Sequence, residues 1–399
     1  MAMTSTQFMT GPGGVNYATL IKKLDKVDCS AVLSAVLQAD KALLGHIKMG
    51  PVASNLEVNW IEDELNPAYI VASSSATNKV TLVGTWTSTS LIRVVRKYSI
   101  LQPANAEWAV QVTSSTGSAT TLTVANYGST VWASVSNTKL YIIAAPYADI
   151  SDASDDRSQQ RTKRRNFMQV FEKAVQITQS RKNISMEAIV DELQTQIKYR
   201  TMEVKRELDM SVIRGFARAT ASNTYSADHE LRTMAGIIQL LRDPNLDTTN
   251  DDTTVTQASA ALTIGLVNSL AYKIYEQGGL DETADPIIVV GAKQARIIAA
   301  WEKELRRVEQ GERQVGYYRD IFLSDLGVEM PIVIDRWMPT DKLIILDRSR
   351  IMLRPMAGDG WHIEKMAKTG RNEKWQISGQ YTLDLRNADK CHGMLYDLS

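Results

Sequence analysis

The residues of this chain that could do chemistry are four histidines, two cysteines, a few close carboxylates and one basic run. A structural zinc site needs three or four thiolate or imidazole ligands at close, characteristic spacing. His46, His229, His362 and His392 are scattered, Cys29 and Cys391 stand near opposite ends, and no CxxC occurs. The histidines therefore read as satisfied surface or core residues. The cysteines read as buried free thiols, which fits a reducing cytoplasm. Gly11-Pro12-Gly13-Gly14 lacks the Lys-Ser/Thr and the strand-to-helix setting of a phosphate loop. No GxSxG is present, so the nucleophile elbow of an α/β-hydrolase is missing. Glu62 and Glu64 alternate along the chain and read as a solvated face. No catalytic, cofactor-binding or metal-ligating residue is assigned, and the chain is not expected to be an enzyme.

The strongest electrostatic feature runs from Arg157 through Arg161, Lys163 and Arg164 to Arg165, directly after Asp149, Asp152, Asp155 and Asp156. Such a cluster could neutralise phosphates of a nucleic acid. It could equally be a hinge that pairs with the neighbouring acids or with an adjacent subunit. The pairing reading is favoured, because the chain as a whole is not basic, as dedicated nucleic-acid binders usually are.

These residues hang on elements that the pattern foretells. Val32, Val36, Ala39 and Leu43 recur at helical spacing and predict an amphipathic helix, ended by Gly45 and Gly50-Pro51. A lone helix flanked by glycine and proline cannot bury its own face, so residues 1–54 read as an arm. Between 67 and 148 only six residues are charged. Short β-branched runs such as Lys79–Val83, Ala109–Val112 and Thr120–Val124 are punctuated by Gly84, Gly117 and Gly128. This predicts a small all-β module.

Composition changes abruptly after Asp149, and residues 153–217 hold 22 charged positions. Ile189, Leu193, Ile197, Val204, Leu208 and Val212 form one helical stripe, with Lys205 and Asp209 read onto the opposite face. The stripe predicts one helix of about 30 residues within 184–217, about 45 Å long at 1.5 Å per residue. Asp243 to Thr256 reads as an acidic surface loop. Leu262, Leu266, Leu270 and Ile274 mark a helix ended by Gly278-Gly279, and Pro286–Val290 a buried strand. Ile297, Trp301, Leu305 and Val308 mark another helix. Strands are expected at 331–335, 343–346, 351–353 and 376–385. The class is α+β.

The chain has 399 residues, 44% hydrophobic and 23% charged, enough for two or three domains with a sizeable core. Lys plus Arg equal Asp plus Glu at 45 each, so no net charge opposes dense self-association. No basic start followed by an apolar run suggests a signal peptide, and no apolar run is long enough to span a bilayer.

Several motifs resemble one family of tailed-bacteriophage major capsid proteins. Trp60-Ile61-Glu62-Asp63-Glu64-Leu65 resembles the segment that opens the family's body, with a β-rich insert following. Asn166 to Phe171 resembles its lead into the long helix. Asp335-Arg336-Trp337-Met338-Pro339, Leu346-Asp347, Ala367-Lys368-Thr369-Gly370 and Tyr381-Thr382-Leu383 resemble its C-terminal strands in order. Gln380 departs from the pattern, standing where an acidic residue and an ion pair are expected.

The resemblance implies the tailed-phage/herpesvirus-type major capsid fold plus a small all-β insertion. The implied parts are an N-terminal arm (1–54), an extended loop (55–165) carrying the β insertion (67–148), and a peripheral domain (166–227) with a spine helix (184–217). An axial domain (228–330) and returning strands (331–399) complete the list. It further implies hexamers and pentamers of an icosahedral head around double-stranded DNA, with portal and scaffolding proteins as partners. Decoration proteins are a further partner class, and no membrane partner or cofactor is implied. The expected location is the virion, after assembly in the host cytoplasm. A cellular encapsulin-like, cargo-enclosing shell is the alternative.

Overall fold

The structure is a computed structural model. It describes residues 43–76, 78–84, 91, 93–104, 106–114, 121–127, 136–146, 149, 158, 161–180, 191–217, 224–226, 229–246, 254–301, 321–368 and 370–399. The arm helix around Val32, Cys29, most of the acidic run at 149–156 and the continuation of the helix to Leu305 and Val308 lie outside these residues.

The strands in chain order are β1 (Lys48–Met49), β2 (Glu57–Glu62), β3 (Tyr69–Ala76), β4 (Lys79–Leu82), β5 (Ile100–Pro103), β6 (Ala109–Ser114), β7 (Thr121–Tyr127) and β8 (Thr138–Ala144). Next come β9 (Thr162–Phe167), β10 (Gln169–Thr178), helix α1 (Glu192–Arg214), β11 (Thr224–Ser226), β12 (His229–Glu230), helix α2 (Ile237–Arg242) and β13 (Val255–Ala260). Helix α3 (Ile264–Glu276), β14 (Pro286–Val290), helix α4 (Ala292–Ala299), β15 (Ile321–Leu323), β16 (Glu329–Ile334) and β17 (Leu343–Asp347) follow. The chain closes with β18 (Ile351–Pro355), β19 (His362–Lys365), β20 (Asn372–Leu385) and β21 (Gly393–Leu398). Two units result, one of residues 59–164 and one of residues 1–58 with 165–399.

In the first unit a closed barrel runs β3-β4-β7-β6-β5-β8. Period-two alternation sends Val80 and Leu82, Val110 and Val112, and Leu122 and Val124 inward, where they join Ile70, Leu101 and Leu140 in one dry cluster. Closure leaves no free edge. This barrel is the small β module that the Thr/Val-rich stretch foretold.

Among the described residues the second unit holds two large sheets and the small β11–β12 pair. A five-stranded sheet runs β1-β18-β20-β10, with β19 also on β20. The long β20 carries it, pairing antiparallel with β10 from Gln169↔Tyr381 to Thr178↔Asn372. β1 adds in parallel register, Lys48↔Met352 and Met49↔Leu353. Leu43 is buried and its N–H donates to Asp335 Oδ2 at 3.2 Å. Residues 43–53, which the sequence groups with the arm, thus lie along this sheet.

A six-stranded sheet runs β13-β21-β17-β14-β16-β15. All five residues of β14 and of β17 are buried, because both faces are covered. Ile287, Val289, Ile344 and Leu346 enter the core shared with α1, α2 and the first sheet. Ile288, Val290, Leu343 and Ile345 enter a second core with α3 and α4.

Helix α1 is the longest described, 23 residues and about 34 Å at 1.5 Å per residue. Asp191 caps it, accepting from the N–H groups of Leu193 at 2.9 Å and Gln194 at 3.3 Å. Of the foretold stripe, Leu193, Val204, Leu208 and Val212 are buried, and Ile197 packs partly buried against the same cores. Residues 181–190 lie outside the description. The helix stops at Arg214 and not at 217, and the reason is backbone contact. Gly215 and Gly236 meet where α1 ends, with Gly236 N–H donating to Gly215 O at 2.9 Å. A Cβ on Gly215 would sit 2.7 Å from Met234 O and against Ser211 O, and one on Gly236 would sit 2.5 Å from Gly215 N. Gly215→Ala is therefore expected to destabilise the unit by about 3 kcal/mol through forced backbone separation. Urea unfolding checks this, and a loss under about 0.5 kcal/mol would mean that the helix end yields freely.

Asp209 is fully buried, which corrects its placement on the exposed face. It lies one residue after Leu208 and three before Val212, so the buried arc is wider than one stripe.

Candidate assembly surfaces and the residues that shape them

The motif residues converge as supports and not as a reactive centre. On β2, Val58, Trp60 and Glu62 alternate inward, and β2 pairs with β9 in a two-stranded sheet. Arg164 Nε donates to Glu62 Oε2 at 3.1 Å, with 7% and 4% of the two side chains exposed. Trp60 Nε1 donates to the other carboxylate oxygen at 3.0 Å. Arg161 pairs with Asp63 at 2.9 Å on the surface and holds that carboxyl below its ordinary value, chiefly by this hydrogen bond. Glu62 is therefore not on a solvated face, since its charge is matched by an arginine 102 residues away. At the described end of the basic run, Arg161 and Arg164 thus pair with Asp63 and Glu62. Arg165 lies over the Phe167 ring at 5.8 Å.

Asn166 is fully buried and uses its whole amide. Its Oδ1 accepts from Phe167 N–H at 2.8 Å and Ala235 N–H at 2.9 Å. Its Nδ2 donates to Leu383 O at 2.8 Å and Ala235 O at 3.1 Å. One side chain thus pins three distant segments. Nothing in the sequence marks it except its place in the Asn166–Phe171 motif.

The C-terminal motifs do similar work. Asp335 takes Leu43 N–H on one oxygen and Trp337 N–H, at 2.8 Å, on the other. Burial alone would raise the Asp347 carboxyl, but hydrogen bonds from Ser349 and from the Asp285 and Ser349 backbone hold it below its ordinary value. Gln380 donates to Asp359 Oδ2 at 2.6 Å, so an amide-to-carboxylate bond stands where an ion pair was expected.

The histidines stay apart. His46 accepts from Arg348 at 3.3 Å, His229 lies in β12, and His362 meets Ser378 Oγ at 3.0 Å. His392 is fully buried, accepts from Asp347 N–H at 3.1 Å, and is pushed down to about 4 by burial. Cys391 is buried and free, its thiol pushed up to about 11, again by burial. Among the described residues no group of three His, Cys, Asp or Glu could hold a metal ion. No described helix is long and apolar enough to cross a membrane.

What both units do present is apolar surface. Leu65 is 94% exposed and Ile61 68% in the barrel unit. Phe216, Val52 and Met49 are exposed in the other, as are Tyr272 and Tyr275 on α3. A groove of about 510 Å³ between β10 and α1 is lined by Gln169, Val170, Glu172, Glu207, Met210 and Ser211. Where such residues gather into a contiguous patch, they suit contact with another protein.

A family model described as SU10 major capsid protein matches residues 4–399. No curated protein matches the chain. Among solved structures, the capsid of a native GTA particle is 10% identical, covers 97% of this chain and 100% of its own, and superimposes with a TM-score of 0.52. The capsid asymmetric unit of cyanophage A-1(L) is 11% identical, covers 96% and 99%, and has a TM-score of 0.50. At such identities the likeness is one of fold, and the fold is the tailed-phage/herpesvirus-type capsid fold.

Proposed function

The chain belongs to the SU10 major capsid protein family, and from that premise we propose that its working part is interface geometry rather than a reactive site. It is a structural subunit of a phage-head shell. Copies meet through unlike surfaces that close into rings of five and six. The observation that supports this reading is the apolar surface left on both units, while each has a closed core of its own.

In this reading residues 1–42 and the barrel unit reach neighbouring tiles, so each copy makes several contacts at once and ring closure strengthens all of them. Portal and scaffolding proteins direct closure in the host cytoplasm. A decoration protein on the barrel is compatible with its separate core. Packaged double-stranded DNA meets the inner surface without sequence reading.

Deleting residues 1–42 tests the role of the arm. The cut spares Leu43 and β1, which belong to the folded sheet. The shortened chain is expected to keep its urea midpoint and to form no closed shells. Normal shells from the shortened chain would remove the arm from the account.

A further inference from the structure

A ring of identical tiles needs two unlike patches, one at each side of the tile. Resting on the tile reading, we infer that the six-stranded sheet carries such a pair, the α3 surface at one end and the β15–β16 hairpin tip at the other, and that each binds its counterpart on a second copy of this chain.

The first patch sits over the β13–β21 end of the sheet. The buried face of α3, Val267, Leu270, Ala271 and Ile274, packs so closely on β21 that a Cβ on Gly393 would lie 2.8 Å from Leu270 Cδ1. Lys273 Nζ donates to Thr256 Oγ1 of β13 at 2.8 Å, which fixes the helix over this edge. The opposite face shows solvent Tyr272 and Tyr275, 50% and 56% exposed, with Lys273 exposed between them. Two aromatic rings one helical turn apart beside a cation form a surface suited to an apolar and acidic counterpart.

The second patch lies at the other edge. β15 is the last strand of the sheet, and its hairpin turns through Gly327 at φ 78°. Leu323 and Leu326 are 42% and 37% exposed there. Asp325 is exposed at the turn beside them, and no Lys or Arg lies between 321 and 334. Leucines with an acid at one edge match tyrosines with a lysine at the other. Five interstrand spacings separate the two edges, roughly 24 Å at about 4.8 Å each. The patches therefore cannot meet within one chain, yet they can meet between copies in head-to-tail order.

Cysteine cross-linking reads the order of contact. Full-length chain carrying Tyr272→Cys and Leu326→Cys in a Cys29→Ser background is assembled and oxidised beside the Cys29→Ser parent, whose remaining Cys391 is buried with a thiol held protonated. Head-to-tail contact gives a reducible ladder reaching five or six chains. Dimers alone, or no product from shells that form normally, would overturn the pairing and leave the tile reading standing. If the parent itself forms no rings or shells, the tile reading falls and this inference with it. A charge exchange covers the case in which the cysteine chain does not assemble. Lys273→Glu or Asp325→Lys alone should lower ring yield about tenfold, and the two together should restore it to within about twofold. Failure of the pair to restore yield would overturn the proposal.

Discussion

Asn166→Leu is expected to destabilise the larger unit by at least about 4 kcal/mol, because each buried backbone group left without a partner costs about 1–3 kcal/mol. Leucine has as many side-chain heavy atoms as asparagine and leaves no cavity, so the loss comes from the hydrogen bonds and from fitting a bulkier group. The N–H groups of Phe167 and Ala235 and the carbonyls of Ala235 and Leu383 would all lose their side-chain partner at once. Asn166→Asp keeps the two acceptor bonds and faces two carbonyls with a carboxylate, so it should also be costly. Urea unfolding of the full-length variants gives the comparison. A loss under about 1 kcal/mol for the leucine variant would mean that other donors and acceptors replace the amide, and that the knot is not specific.

Arg164→Met is the second change with a large expected effect. It leaves the Glu62 carboxylate 4% exposed and facing Trp60 Nε1 without its guanidinium partner. Breaking a buried pair from one side costs about 3–5 kcal/mol, whereas removing both charges is often close to neutral. The pair Glu62→Leu with Arg164→Met should therefore recover most of the stability that either single change loses. Hydrogen exchange along β2 and β9 localises the effect, since the loosening should appear in these two strands first. Equal protection in parent and single variants would show that the pair is passive. Its partners stand 102 residues apart, either side of the barrel, so the ion pair fixes where the two strands of the stem align.

The parts of the fold legible in the sequence are those whose physics is local. Val80 and Leu82, Val110 and Val112, and Leu122 and Val124 alternate with polar residues, and alternation alone makes a two-faced strand. Pro286–Val290 has no polar residue and became a strand buried on both faces. The Leu193–Val212 stripe became the buried side of α1. Other parts depend on distant partners. β10 begins within the Asn166–Phe171 motif that resembles the family's lead into the long helix, and its Glu172, Lys173 and Gln176 do not mark a strand. Its strand character lies in Phe171, Val175 and Ile177, which share a parity, and in ten residues of pairing with β20 some two hundred positions away. Glu62 reads as exposed until Arg164 is placed beside it. Asp209 reads as exposed until the packing around α1 is complete. Gln380 breaks the family pattern by one residue, and Asp359 meets it with a hydrogen bond.

The supports and the surfaces divide the work of the chain. Asn166, Asp335 and Asp347 spend their polar atoms on backbone and neighbouring groups within one chain. Such full pairing holds the tile to one shape. Leu65, Phe216, Tyr272 and Tyr275 are among the residues left exposed, and the proposed reading assigns such residues to contacts between copies. This division suits a shell subunit, since a well-held core presents its contact surfaces in reproducible positions.

Electron microscopy of the purified full-length chain, taken through a rising concentration series, tests whether the molecule is a tile at all. The account predicts closed particles built from clusters of five and six, appearing above a threshold concentration. A chain that stays monomeric at every concentration, with its exposed apolar residues indifferent to substitution by serine, would contradict it.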